Sequence, residues 1–276
     1  MRKALCISLT AALVCLAGQA SAATCRDPAG FEKWLGDIRQ EAVAEGISAN
    51  AIRTALSGVT FDPSVIGKDR GQGVFKQSFE QFAGRMVSPY RLRMGATLLK
   101  KHAATLARIQ QRFGVPGPVL VAIWGLESDF GAVKGNMATI RSVATLAYDC
   151  RRSEMFERHL LDAIRIVERG DLTPAEMRGA WAGELGQTQF MPSAYFKYAV
   201  DFDGDGRADL LHSAADALAS TANFLVGHGW VRGADWSPGA PNFEVLREWN
   251  KSQVYSRTVA YFAKKLAGGD TSDISN

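Results

Sequence analysis

The chain has too few of several things for some functions to be possible. Only four histidines occur among its 276 residues. His102, His159, His212 and His228 are scattered without HExxH or similar spacing, so a zinc hydrolase lacks its ligands. Neither a G-x-S-x-G elbow nor a phosphate-binding loop is present, which removes the serine-hydrolase and nucleotide readings. A net charge of +4 is too weak to argue for nucleic acid or a membrane surface. The longest apolar run, Leu5 to Ala17, falls short of the roughly 20 residues that span a bilayer. Strand-like alternation is scarce, and no repeat, low-complexity tract or linker marks a second domain.

What is present begins with an export signal. Arg2 and Lys3 form a basic start, the apolar run follows, and Ala20-Ser21-Ala22 supplies the small residues a signal peptidase requires. Residues 1–22 are therefore expected to be removed, leaving 23–276 as the mature chain. A single membrane anchor is the alternative, for which the run is short. Neither Cys15 nor Cys25 follows the pattern of a lipid attachment site. Cleavage takes Arg2 and Lys3, leaving a formal charge of about +2, and takes Cys6 and Cys15 of the four cysteines. Cys25 and Cys150 remain, and two cysteines in an oxidising compartment usually pair. Two separate buried thiols are the other reading. With 47% hydrophobic and 22% charged residues, the remainder has the composition of a soluble globular protein.

Helical signals dominate it. Apolar residues recur at helical spacing over Phe31 to Ala44. A long basic amphipathic pattern covers 90–112 and is closed by Gly114 and Pro116. Residues 153–169 predict a helix ending at Gly170. Thr173-Pro174-Ala175-Glu176 carries a capping box. Ser213 to Gly229 predicts a helix capped by Ser213, and 254–267 a last one. The expectation is a mostly α protein with at most a small β-sheet.

The segment Pro118 to Leu126 is apolar on every side, so its helix is expected to be buried all round. It ends in Glu127. Burial beside Trp124 and the negative end of the helix dipole would both raise the carboxyl pKa. A carboxylic acid that stays protonated near neutral pH is what a general acid needs. A glutamate at the surface, where a buried helix emerges, fits the position almost equally well.

Residues 179–195 combine glycines with Gln187, Gln189, Phe190 and Tyr195. Glycines allow close backbone approach, amides suit sugar hydroxyls and N-acetyl groups, and aromatic rings stack on sugar faces. A tight turn with ordinary core aromatics is the commoner fate of such residues. Only together with Glu127 does the segment point to a saccharide cleft.

The runs GLESDFG, AGELGQTQFMPSAYFKYAVDFDGDGRADL, ANFLVGHGW and REWNKSQVY resemble, in order, the membrane-bound lytic transglycosylase B type, glycoside hydrolase family 103. The resemblance covers essentially the whole mature chain. It implies a lysozyme-like α+β catalytic core with an additional helical lobe. It also implies cleavage of peptidoglycan glycan strands between N-acetylmuramic acid and N-acetylglucosamine, yielding 1,6-anhydro products. The family's catalytic acid/base falls on Glu127, its substrate-binding glutamine on Gln189, and Asn250 and Tyr255 fall beside the glutamate. Ser128, Gln187, Phe190, Tyr195 and Trp249 complete the expected substrate contacts. Trp249 and Phe224 stand where some relatives carry tyrosine, so the hydroxyl is lost. Arg151 and Arg152 are either contacts for the stem peptide or a solvated basic pair. No cofactor is implied for the chemistry, no nucleic acid as partner, and the periplasm as the location.

Glycosidases usually employ two carboxylates, whereas this family is understood to use one, with the substrate's N-acetyl group assisting. Asp129 and Glu184 are the acids within the two motifs that could change that. Either of them facing Glu127 across a cleft would favour a lysozyme-like hydrolase using water. Asp129 is expected to point elsewhere, and Glu184 to have a surface or structural role. A non-catalytic peptidoglycan-binding protein is the other alternative.

Asp201, Asp203 and Asp205, with Gly206 at the sixth position, match the first half of an EF-hand loop. Position 12 is His212 rather than the bidentate glutamate. The resemblance supplies Asp216 as a later acidic ligand and the Arg207 carbonyl at position 7, for a structural calcium ion. A helix-capping role beside Ser213 is the alternative for Asp216.

Overall fold

The computed structural model describes residues 27–72 and 77–275, so the expected signal segment and Cys25 lie outside the described residues. After a short 3-10 turn come α1 (Phe31–Ala44), α2 (Ala49–Ala55) and α3 (Pro63–Arg70). The helices α4 (Phe79–Met86), α5 (Pro89–Lys101), α6 (Ala103–Phe113) and α7 (Gly117–Ser128) follow. Next are β1 (Met137–Ala138), α8 (Thr139–Tyr148), α9 (Ser153–Arg169) and β2 (Arg178–Gly179). The chain finishes with α10 (Pro192–Tyr198), α11 (Ala214–Gly227), α12 (Pro241–Trp249), α13 (Gln253–Ala267) and α14 (Ser272–Ser275). The only sheet among the described residues is the antiparallel pair β1–β2, with Met137 opposite Gly179 and Ala138 opposite Arg178. The mostly helical expectation holds.

Periodicity explains most of these helices. In α1, Phe31, Trp34, Leu35, Ile38 and Ala42 are buried, a single stripe at steps of three and four. The helix α9 buries Phe156, Leu160, Ala163 and Ile164 and stops at Gly170, whose φ of 82° suits glycine. Two expected elements come out differently. The pattern over 90–112 is two helices, because His102 leaves helical geometry at φ −102°, ψ 18° and caps α5. At Thr173 the capping box forms, with Glu176 N–H on Thr173 Oγ1 and Thr173 N–H on Glu176 Oε2. The turn does not propagate, since the next residues pair into β2; tertiary pairing overrides the local signal.

The helices gather around two apolar clusters. One holds α1–α3 with α8–α10, and the other holds α4–α7 with α11–α13. Phe224 and Trp249 pack against both. At the centre of the second cluster, α7 buries Val119 to Leu126 continuously, as its all-round apolar sequence requires. Cys150, between α8 and α9, is disulfide-bonded.

Candidate active site

The cleft opens where the two clusters meet, with a volume of about 450 Å³. Glu127 stands on one side, at the end of α7. Glu184, Gln189, Phe190, Met191, Ala194, Phe224, Glu248, Trp249 and Asn250 line the cleft with it.

Glu127 is held by one of its two oxygens. The Trp249 indole N–H donates to Oε1 at 2.9 Å and the Tyr255 hydroxyl donates to the same oxygen at 2.5 Å. Oε2 receives no such bond from the described residues. Burial pushes the carboxyl pKa up, the two donors pull it partly back, and the charge of Glu184 adds to the rise. The C-terminal end of α7 acts in the same direction. Tyr255, buried against Glu127, has its own pKa raised and stays a neutral donor.

The backbone that carries these groups is strained in one respect. Among the described residues the non-glycine positions with positive φ are Asp129 (51°), Phe130 (61°) and Gln189 (53°). All three flank the cleft, and left-handed backbone costs an L-residue about 1–2 kcal/mol. Local bonds hold it in place. Asp129 N–H returns to the Gly125 carbonyl and Phe130 N–H to that of Trp124, at 3.2 Å each. The Asp129 carboxylate meets Arg91 Nε at 3.1 Å, so it points away from Glu127 as expected. The Phe130 ring sits edge-on to Trp124 at 5.8 Å.

The expected substrate contacts divide into two groups. Gln189, Phe190, Trp249 and Asn250 line the cleft, with Tyr255 behind Glu127. Gln189 Nε2 donates to the carbonyls of Gly186 (2.8 Å) and Lys134 (3.3 Å), which leaves its oxygen unengaged. Phe190 lies edge-on to Trp249 at 5.3 Å, and Phe224 edge-on to Trp249 at 5.0 Å. Trp249 therefore replaces the expected lost hydroxyl with its indole N–H. The Asn250 oxygen is engaged by Ser252 N–H at 2.9 Å.

Three expected contacts are placed elsewhere. Ser128 is buried, donates to the Gln187 carbonyl and accepts from Gly131 N–H at 2.8 Å; it joins the two motifs from behind. Gln187 is buried and lies against Gly131. Tyr195 is fully buried, and its hydroxyl donates to the Ala208 carbonyl at the base of the acidic loop. The hydroxyls of Ser128 and Tyr195 spend their hydrogen bonds on the fold.

Glu184 departs from expectation in the other direction, because it lies on the cleft wall and its charge reaches Glu127. Burial raises its pKa as well. Arg151 and Arg152 are part-exposed but not free. Both close on the buried carboxylate of Asp69, which Arg70 also meets at 2.9 Å. Sequence reasoning passed over Met191, Ala194 and Glu248, although all three lie inside or beside the motifs.

In the acidic loop, oxygens of Asp201, Asp203 and Asp205 lie within 4.8 Å of one another. Left-handed Gly204 (84°) and Gly206 (101°) fold the chain around them. Arg207, the basic residue of the loop, turns its side chain to Asp209 (2.9 Å) and Glu176 (3.6 Å) instead. The donor set is all oxygen, which fits a hard cation. Asp216 stands outside the triad. Its Oδ1 accepts from Phe202 N–H (2.8 Å) and Asp203 N–H (3.2 Å), and Oδ2 from Asp209 N–H (2.9 Å). Ser213 Oγ caps its helix by accepting from Asp216 N–H at 3.2 Å, so the capping alternative describes its surroundings.

Known proteins share this fold. The family model of the transglycosylase SLT domain matches residues 30–240. Escherichia coli membrane-bound lytic murein transglycosylase B is 34% identical over 170 residues, 59% of this chain and 47% of that protein. The chain thus spans about half the length of this curated relative. The structure of SltB3 from Pseudomonas aeruginosa in complex with NAG-anhNAM-pentapeptide superposes with a TM-score of 0.81. It is 34% identical, over 87% of this chain and 80% of that one. The Escherichia coli lytic transglycosylase Slt35 in complex with calcium gives 0.75 at 25% identity, over 84% and 92%. With a family match across most of its length and a 34% identical relative covered over four-fifths, the chain belongs to the transglycosylase SLT domain family.

Proposed function

We propose that this protein is an exported lytic transglycosylase that cleaves peptidoglycan glycan strands, with Glu127 as the single general acid/base. The observation that carries this reading is the asymmetric holding of Glu127. Oε1 is fixed by Trp249 and Tyr255, and Oε2 is left for the substrate. The carboxyl, protonated through burial, gives its proton to the leaving glycosidic oxygen. The carboxylate then takes the proton of the muramoyl 6-hydroxyl as that oxygen closes on the anomeric carbon. Both transfers use one oxygen, so no second base is required. The unengaged Gln189 oxygen accepts a sugar hydroxyl, while Phe190, Phe224 and Trp249 give the cleft an aromatic floor.

A water-using hydrolase divides its two carboxyls, one protonated and one ionised, by giving them opposite environments. Here burial is the largest influence on Glu127 and on Glu184, and it raises both. The complexes of SltB3 with NAG-anhNAM-pentapeptide and NAG-NAM-pentapeptide support the same substrate class for this chain. Mass spectrometry of peptidoglycan digested with the mature protein tests the reading, with Glu127→Gln as control. Anhydromuropeptides from the wild type alone are expected; products with free reducing ends would refute it.

The remaining assignments follow from this one. Residues 1–22 direct export to the periplasm, and 23–276 form the catalytic domain with its helical lobe. Cys150 pairs with Cys25, and their closed loop stabilises the mature fold by about 4–5 kcal/mol in the chain-entropy model. Asp201, Asp203 and Asp205, with the Arg207 carbonyl, hold a structural calcium ion. Asp216 reaches it through the loop backbone that it braces.

A further inference from the structure

Glu184 has no part in the single-acid scheme, yet it is built into the cleft with care. Its backbone carbonyl accepts from Ala180 N–H at 3.0 Å, and the next residue, Leu185, exchanges hydrogen bonds with Phe190 at 2.7 and 2.8 Å. One side-chain oxygen accepts from Ala182 N–H at 3.2 Å. Its own backbone N–H also acts on the carboxyl, and the side chain lines the cleft together with Glu127. Arg152 lies near enough to act on it electrostatically, and one nitrogen of that guanidinium pairs with Asp69. A carboxyl oxygen fixed in this way on the cleft wall keeps an acceptor lone pair for whatever occupies the cleft.

The chemistry of the substrate narrows what that oxygen meets. With the glycosidic oxygen at Glu127, the muramoyl C1 stands beside it. Oxygen 3 of muramic acid is an ether, and oxygen 4 of an internal residue is a glycosidic link. The ring's remaining donors are the 6-hydroxyl, whose proton goes to Glu127, and the acetamido N–H on C2. We propose that Glu184 accepts the hydrogen bond of this acetamido N–H and thereby aims the acetamido carbonyl oxygen at C1. This deepens the proposed function and rests on it.

The step balances without another reactant. The acetamido oxygen forms a bond to C1 as the C1–O bond breaks, and Glu127 delivers its proton to the departing oxygen. The positive charge of the cyclised acetamido group lies on the N–H that Glu184 holds. The 6-oxygen then forms its bond to C1, the acetamido oxygen leaves, and the 6-hydroxyl proton returns to Glu127. An acceptor oxygen is available on Glu184 whether it is ionised or neutral.

The test compares Glu184→Ala and Glu184→Gln with the wild type, using kinetics on purified glycan strands and inhibition by the 1,2-thiazoline of N-acetylmuramic acid. Protonated on its ring nitrogen, that compound mimics the cyclised acetamido group and presents the same N–H. Loss of an oriented charge-stabilising group predicts that Glu184→Ala lowers kcat about 100-fold with KM changed less than about 3-fold. Thiazoline affinity should fall in parallel with kcat, and Glu184→Gln, which keeps an acceptor oxygen, should lose about 10-fold. A thiazoline affinity unchanged in Glu184→Ala, or a kcat equal to wild type, would overturn the proposal. Product masses from the wild-type digest are read separately. Free reducing ends there would remove the transglycosylase reading, while the thiazoline series still decides what Glu184 holds.

Discussion

The indole N–H of Trp249 donates to Oε1 of Glu127 at 2.9 Å, across 122 residues of sequence, on the oxygen that Tyr255 also occupies. Hydrogen bonds to a carboxylate favour its charged form, so each donor opposes the effect of burial. Trp249→Phe keeps the ring and removes the donor. The Glu127 pKa should rise, moving the alkaline limb of kcat against pH upward, and kcat on the plateau should fall about 10-fold as orientation is lost. Tyr255→Phe should shift the limb in the same direction. A pH–rate profile of each variant checks the sign, and a downward shift would contradict this account.

Glu127 also sets a pH-dependent cost in stability. A carboxyl whose pKa is raised by folding binds its proton more tightly in the folded state. The penalty for ionising it is absent below the unfolded pKa of about 4.3 and is fully present above the folded pKa. Glu127→Gln removes the penalty while its amide oxygen still accepts from Trp249 and Tyr255. Calorimetry should show the variant unfolding at a higher temperature than wild type at pH 8, with the gap closing toward pH 4. Activity should fall at least about 100-fold.

The acidic loop separates two kinds of aspartate. Asp216 is fully buried and holds three backbone N–H groups. Asp216→Ala should destabilise by about 2–4 kcal/mol with or without calcium, since it leaves buried donors unpaired. Asp205→Asn should leave stability in chelator nearly unchanged and reduce the rise in Tm produced by adding calcium. Thermal melts of both variants, in chelator and in millimolar calcium, distinguish the two roles.

Close backbone approach fixes the wall that carries Glu184. A Cβ on Gly179 would lie 1.7 Å from the Glu184 carbonyl oxygen, and one on Gly135 would lie 2.2 Å from that of Gly179. Gly179→Ala should cost about 3 kcal/mol or more, because backbone on both sides must move. Gly46 has a similar φ of 81° but open space around it, so Gly46→Ala should cost only about 1 kcal/mol. Chemical denaturation of the two variants gives the comparison.

The sequence made the helices and the acid legible to different degrees. Helices with one apolar stripe, such as α1 and α9, could be delimited to the residue, since their stops are encoded locally by glycine. The break at His102 could not, because nothing in the local pattern distinguishes one bent amphipathic run from two helices. Glu127 stood out because an all-apolar helix ending in an acid is rare. Ser128 and Tyr195 were misplaced because a polar group in a motif does not reveal which way it faces. Both turn inward to satisfy carbonyls that only the tertiary fold brings near. Glu184 was misjudged for the complementary reason, since its exposure to the cleft depends on pairing between Leu185 and Phe190.

Gly125, two residues before Glu127, has the rings of Phe130 and Phe262 packed so near that a Cβ would lie 2.8 and 3.0 Å from them. Phe262 belongs to α13, the helix whose first turn brings Tyr255 to Glu127. The spacing of α7 from α13 is thereby set at a site with no side chain to absorb error. The proton affinity of the Glu127 carboxyl becomes a property of interhelical distance, tuned by residues that do not line the cleft.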